Sequence, residues 1–477
     1  MFFFLVMPDR VTSYGTDDGT AVMWLRFVSA AEGKFDEGEL FCAQLVQNTP
    51  CADANVCEGF DPANKNHVEG TAAMFHASVS WLSMGKAKDS EIKEALTNFN
   101  KTGAPIKFSD MFDIPPLTNA SDPYYGKIDD GKVVTSGFNT TNAALDPKAT
   151  PPGAGFPCAT GFKAISTGGK PTECLKIKSS RTKWASRLET RRYAAMLGCN
   201  TEMEKWESSA LDPIGRVMYT SISSASNMMA AKAPSGNGKP QDAVRIPKTN
   251  SCGCVMEVGF ADETWKASYI KSHLCGSSSK IEAACNITSK DGLTALAEKL
   301  VENKDYGKKG KPGDKTFACD DFLFNQCNKS AIANPDGLTF MTELNQLVIY
   351  EDTKPGHRND AVWVQNAWDG KITRIFTTPL GAEATGAQWY PNLGPGIKQD
   401  GPYSYLGVVV QHPYDEDDGG GKTDGKMPNN DKAAMRGYVG VIGPLKKVDV
   451  YVSEASSFSV SMIVSFVSVL FVSLFVF

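Results

Sequence analysis

The feature that most constrains how this 477-residue chain can fold is a recurrence of short β-rich runs between turn residues. Val22–Val28, Leu40–Val46, Arg216–Ser223, Cys254–Phe260, Leu347–Glu351, Ala361–Ala367, Ile372–Thr378 and Tyr405–Gln411 are rich in β-branched and aromatic residues. Each is bounded by Gly, Asp, Asn, Pro or Ser, the pattern of strands separated by tight turns. Trp368-Asp369-Gly370 marks a hairpin between two of them. Amphipathic helical spacing is found at Asp89–Asn98 and Leu293–Val301, each opening on a plausible cap. The pattern predicts an all-β sandwich, barrel or propeller with short helical insertions rather than a parallel α/β sheet.

Composition narrows the function. A net charge of −5 gives no basic face for a phosphate backbone, so nucleic acid is excluded as the expected partner. Arg187, Arg191 and Arg192, and Lys308, Lys309 and Lys311, read as solvated faces. The twelve cysteines lack zinc spacing: Cys252 and Cys254 sit close together, with no partnering Cys/His pair. Disulfides in an oxidising compartment account for them better. Five N-x-S/T sequons, at Asn100, Asn119, Asn139, Asn286 and Asn328, agree with a secretory route and glycosylation.

The last twenty residues, Phe458–Phe477, hold neither charge nor proline, enough at about 1.5 Å per residue to cross a hydrocarbon core. A transmembrane helix and a GPI-attachment signal, with Ala455, Ser456 and Ser457 before the tail, both fit. The expected organisation is therefore one domain over 1–452 and a membrane anchor or attachment signal over 453–477. A cell-surface or extracellular monomer follows. Met1–Met7 is too short for a signal-peptide core, so the natural N-terminus is expected further upstream. Asn48–His67, Thr118–Pro171 and Asp415–Lys432 read as loops, the last without the register of a calcium loop.

Several segments, in order, carry a resemblance. They are Tyr14–Val28 with Asp36–Leu45, Arg187–Pro213, Asn334–Leu338, Tyr350–Thr353, Thr377–Gly386, Val409–Glu416 and Gly437–Leu445. Together they resemble the PhoX-type alkaline phosphatases, especially the algal and cyanobacterial branch. The resemblance implies a six-bladed β-propeller with metals in its central channel. It also implies Ca²⁺ as cofactor, with iron in a full-length form, and small-molecule phosphate esters as substrates. One blade and an iron-binding cysteine upstream of Tyr14 are missing from the match.

Hydrolysis of a phosphate monoester needs positive charge over the phosphoryl oxygens, and a hard cation needs converging carboxylate and carbonyl oxygens. By resemblance Glu383, between Gly381 and Gly386, matches a metal-ligating glutamate, and Glu207 and Glu202 match two further ligand positions. Glu204 lies beside them. Asp336 in Asn334-Pro335-Asp336-Gly337 is either a ligand or the centre of an Asx turn. Glu351 and Asp352 end a strand: either one of them faces the channel, with Asp352 as the candidate ligand, or both are structural. Asn250 matches a polar family position before Cys-Gly. His412 is read either as a structural hydrogen-bonding residue or as a substrate-site ligand or proton carrier. Leu380 stands where some members carry a phosphate-binding arginine, leaving Arg374, Arg358 or Lys354 to take that part. Asp17 and Asp18 read as turn residues. Two other functions stay open: a non-catalytic surface propeller and a calcium-dependent esterase or lactonase. No G-x-S-x-G elbow, Walker loop or H-E-x-x-H motif competes.

Overall fold

The computed structural model describes residues 2–6, 11–15, 23–31, 34–47, 75–113, 127–129, 132–134, 160–165, 173–201, 203–225, 229, 244, 250–261, 264–277, 325–353, 356–367, 369–379, 381–394, 401–413 and 437–446. The chain is mostly β and its sheets are antiparallel, as the turn-separated runs predict. Strands β1 (Phe2–Val6), β2 (Val11–Gly15), β3 (Leu25–Ser29), β4 (Glu37–Gln47) and β5 (His76–Lys88) open it. Helices α1 (Asp89–Asn98) and α2 (Phe108–Met111) follow, then the short strands β6 (Phe112–Asp113), β7 (Lys127–Asp129), β8 (Lys132–Val134), β9 (Lys163–Ile165) and β10 (Glu173–Ile177). Helices α3 (Thr182–Leu188) and α4 (Thr190–Leu197) lead to β11 (Trp206–Asp212), β12 (Val217–Ile222), β13 (Cys254–Phe260) and β14 (Ala267–Cys275). The next meander is β15 (Pro335–Met341), β16 (Gln346–Glu351), β17 (Ala361–Asn366) and β18 (Ile372–Thr377). Strands β19 (Glu383–Leu393), β20 (Tyr403–Gln411) and β21 (Tyr438–Lys446) end the described part.

The largest sheet runs β1-β2-β3-β4-β5-β14-β13-β12-β11, so two meanders join through the β5–β14 pair. Its β11–β14 part, the β15–β18 sheet and the β19–β21 sheet stack face to face. Between the first two lie Tyr219, Val255 and Leu274 against Leu338, Phe340, Leu347, Ile349 and Trp363. Between the second and third lie Met341, Val348 and Tyr350 against Ala384, Trp389, Leu406 and Val408. This explains why Gln346–Glu351 reads as a nearly unbroken apolar run: its two faces are both covered. Leu347 and Ile349 point one way, Val348 and Tyr350 the other. The outer face of the third sheet is exposed, with Val439 at 86% and Val441 at 57%.

A cluster around Tyr14, Trp24, Trp81 and Trp206 fills the space enclosed by the nine-stranded sheet, and α3 and α4 close its other side over Cys42 and Met84. Alternation along β5 puts Ala77, Val79 and Trp81 with the tryptophans and Leu82 and Met84 on the helix side, with one extra residue in β5 opposite Leu40–Phe41. Disulfides join Cys42 to Cys199, Cys252 to Cys327 and Cys254 to Cys275. The C-x-C pair is thus split between two partners, in keeping with the disulfide reading. Among the described residues no helix is long and apolar enough to cross a membrane. Residues 453–477, the Leu293–Val301 helix and most of the three expected loops lie outside the described residues, although β7, β8 and β9 fall within Thr118–Pro171.

Candidate metal centre

β11 packs on β15, and β15 on β19. These are the first strands of the three stacked sheets, and each carries an extra residue near its start relative to the strand it pairs with, β19 having a second between Tyr390 and Leu393. Trp206 to Ser209 opposes Ile222 to Thr220; Pro335 to Leu338 opposes Glu351 to Ile349; Thr385 to Gln388 opposes Val409 to Gly407. The three bulges fall on Glu207-Ser208, Asp336-Gly337 and Gly386-Ala387. A bulge bends its strand and re-aims a side chain, so the first two turn a carboxylate out of the sheet's alternation. The third needs glycine: Gly386 has φ +72°, and a Cβ there would lie 2.4 Å from Val409 Cγ2.

Small hydroxyls lock neighbouring bulges together. Ser221 Oγ donates to the Asp336 carbonyl at 2.6 Å, and the Leu338 amide donates to Ser208 Oγ at 3.1 Å. The result is a group of carboxylates from separate strands. One oxygen each of Asp336, Asp352 and Glu383 lies within 4.8 Å of the others. Glu207 acts on the same group, since with Glu383 and Asp352 it raises the Asp336 carboxyl electrostatically.

Two of these carboxylates have orienting partners. Glu383 accepts from Gln411 Nε2 at 3.1 Å and lies 3.3 Å from His412 Nε2. Glu207 accepts from Ser223 Oγ at 3.1 Å and pairs with Lys205 Nζ at 2.8 Å. Asp352 Oδ1 is buried and, among the described residues, has no hydrogen-bond donor. A buried anionic oxygen without a donor is costly unless a cation meets it. Burial first, and then the charges of Glu207, Glu383 and Asp352, push the Asp336 carboxyl up to about 7. All of these donors are hard oxygens, which fits Ca²⁺. The six cysteines Cys42, Cys199, Cys252, Cys254, Cys275 and Cys327 are disulfide-bonded and offer no thiolate to iron.

The remaining sequence candidates fall elsewhere. Glu351 points into the interior, where its carboxylate accepts from the backbone amides of Ala333 and Ala361, from Trp363 Nε1 and from His357 Nδ1. Asn250 is engaged locally, accepting from the Cys252 amide at 2.9 Å and donating to the Gly276 carbonyl at 3.3 Å. Arg374 lies apart from the carboxylate group. It is exposed on β18, at the sheet edge opposite β15, stacked 4.7 Å from the Trp363 ring and bonded to the Lys329 carbonyl. Glu202, Lys354 and Leu380 lie outside the described residues, as do Asn119, Asn139 and Asn286. Asn100 is exposed with φ +52°, whereas Asn328 is half-buried and caps a turn through Ser330. Lys205, the ion-pair partner of Glu207, is a neighbour that sequence reading passed over; it sits two residues before a named candidate and has φ +46°.

The chain matches no family model, no curated protein and no solved structure. The chemistry of the centre therefore rests on its own geometry.

That geometry predicts a pH dependence. In metal-free protein, folded Asp336 holds its proton up to about pH 7, whereas the unfolded side chain releases it near the ordinary aspartate value of 3.8. The folded state then binds more protons over that window, so this group's contribution to stability falls as pH rises from about 4 to 7. In EDTA the melting temperature of wild type minus that of Asp336→Asn is expected to fall over the window. CaCl2 affinity should rise over it as the proton is displaced. A difference that stays flat with pH contradicts the assignment.

Proposed function

We propose that this chain is an extracellular calcium-dependent phosphomonoesterase related to the PhoX-type alkaline phosphatases, and that its stacked sheets are consecutive blades of a β-propeller. One observation carries the reading: carboxylates from β11, β15, β19 and the end of β16 converge, with a buried Asp352 oxygen among them that has no donor. Asp336, Asp352, Glu383 and Glu207 would hold the cation. When bound, Ca²⁺ supplies the positive charge that phosphoryl transfer requires over the equatorial oxygens. Gln411 and His412 orient Glu383, while Ser223 and Lys205 orient Glu207. Lys205, rather than Arg374, would meet a phosphate oxygen. The disulfides support an oxidising compartment, and the apolar tail supports membrane attachment there.

A second reading, a calcium-bearing surface propeller that does no chemistry, is favoured by the remote position of Arg374. Hydrolysis of p-nitrophenyl phosphate at alkaline pH, with CaCl2 and with EDTA, separates the two. Turnover that needs calcium and disappears in Glu383→Ala is the expected result. Calcium binding without turnover selects the scaffold reading. Turnover of p-nitrophenyl acetate but not of the phosphate ester selects a calcium-dependent esterase.

A further inference from the structure

Asn334 immediately precedes β15 and has φ +41°, a backbone region that asparagine enters more readily than most residues. From that conformation its side-chain Nδ2 donates to two carbonyls, those of Ser223 and Ser251, at 2.8 Å each. Its backbone amide donates to the Cys252 carbonyl at 2.8 Å, and its own carbonyl accepts from the Asp352 amide at 3.1 Å. A single residue thus ties together the end of β12, the turn before β13, the start of β15 and the end of β16. The Ser251–Cys252 turn is anchored in its own right, by the Cys252–Cys327 disulfide and by Asn250 Oδ1. Asn334 also fills the space beside Gly356, where a Cβ would lie 2.3 Å from Asn334 Oδ1.

We propose that Asn334 is the positioning residue of the centre: it sets the separation of Asp336 and Asp352 and so determines calcium affinity. The inference rests on the calcium reading of the carboxylate group. Asn334 lies two residues from Asp336, and its carbonyl receives the amide of Asp352, so a shift of Asn334 moves both carboxylates relative to β11 and Glu207. Both Nδ2 hydrogens are used on fixed carbonyls, and only an amide at this position supplies them. An aspartate of the same shape would set a carboxylate oxygen against two carbonyl oxygens.

The test uses the full chain, with CaCl2 binding followed by calorimetry and melting followed in EDTA. Asn334→Asp removes the donors and adds negative charge, which by attraction alone would tighten calcium binding. Asn334→Gly keeps the left-handed backbone and removes the side chain. Both are expected to weaken CaCl2 binding tenfold or more, while Asn334→Gly melts in EDTA within a few degrees of wild type. Calcium affinity unchanged in Asn334→Gly overturns the positioning role and leaves the calcium reading standing. If wild type binds no calcium, both fall. Affinity lost only in step with folded protein in EDTA, in both variants, makes Asn334 merely structural and also overturns the proposal. If Asn334→Asp does not fold, Asn334→Gly decides.

Discussion

Alanine in place of Glu351 is expected to cost about 3–5 kcal/mol of folding stability, the range for breaking a buried charged pair from one side. Glu351 is fully buried, and its two oxygens take four donors. Oε1 accepts from the Ala333 amide at 2.8 Å and Trp363 Nε1 at 2.7 Å. Oε2 accepts from the Ala361 amide and His357 Nδ1, both at 2.9 Å. The donors are buried too, so truncation strands them where water cannot replace the carboxylate. Asp360 nearby is held well above the usual carboxylate range, chiefly by burial and next by the charge of Glu351. Glu351→Ala removes that repulsion, a partial offset that keeps the expected loss nearer the lower end of the range. A urea unfolding series on wild type, Glu351→Ala and Glu351→Gln measures it. A loss under about 1 kcal/mol in the alanine variant would mean that the network contributes little.

The second large effect concerns the carboxylate group. Two unit charges 4.8 Å apart repel by about 3 kcal/mol at an effective dielectric constant near 20. Above about pH 7, where Asp336 too is charged, three such oxygens with Glu207 at hand therefore store a strain that a divalent cation relieves. CaCl2 is expected to raise the melting temperature and EDTA to reverse the rise. Glu383→Gln keeps the side-chain shape but removes a charge facing the ion. It should weaken calcium binding on the order of a hundredfold, the upper end of what even supporting residues of metal sites cost. Without metal, the same variant should melt no lower than wild type, because one repelling charge has gone. Calcium stabilisation that persists undiminished in Glu383→Gln would place the ion elsewhere.

How much of this was legible follows from where period-two alternation survives. Cys254–Phe260 and Asp89–Asn98 lie where the sequence pattern put them, because β13 is a short run rich in apolar residues (Val255, Met256, Val258, Phe260) and α1 has an uninterrupted amphipathic repeat. The strands that carry the centre were not read as strands. In β11, β15 and β19 the extra residue breaks the alternation, and Pro335, Gly337 and Gly386 look like turn chemistry. The Asx-turn alternative for Asp336 arose in this way. For Glu351 and Asp352 the sequence indicated that neighbours on a strand point oppositely, but not which of them faces the carboxylates. The answer depends on the register of β15 against β16, a tertiary fact. Helices α3 and α4 were missed because Glu189, at φ −130° and ψ 45°, cuts one periodic stretch into two short pieces. The distance of Arg374 from the carboxylates was not legible either, because it depends on β18 lying at the far edge of its sheet.

The shared bulge has a further consequence, for the kinds of genetic change this centre can absorb. Substitution alters one side chain and leaves its neighbours facing as before. Loss of Gly337 would remove the extra residue and restore plain alternation: Pro335 and Leu338 would stand two apart and still oppose Glu351 and Ile349. Leu338, Phe340 and Met341 would keep their layers, while Asp336 would lose the bulge that aims it. One deletion would thus spare the packing and spoil the carboxylate. The counting of residues within β11, β15 and β19 is therefore as much a part of the centre as the carboxylates themselves.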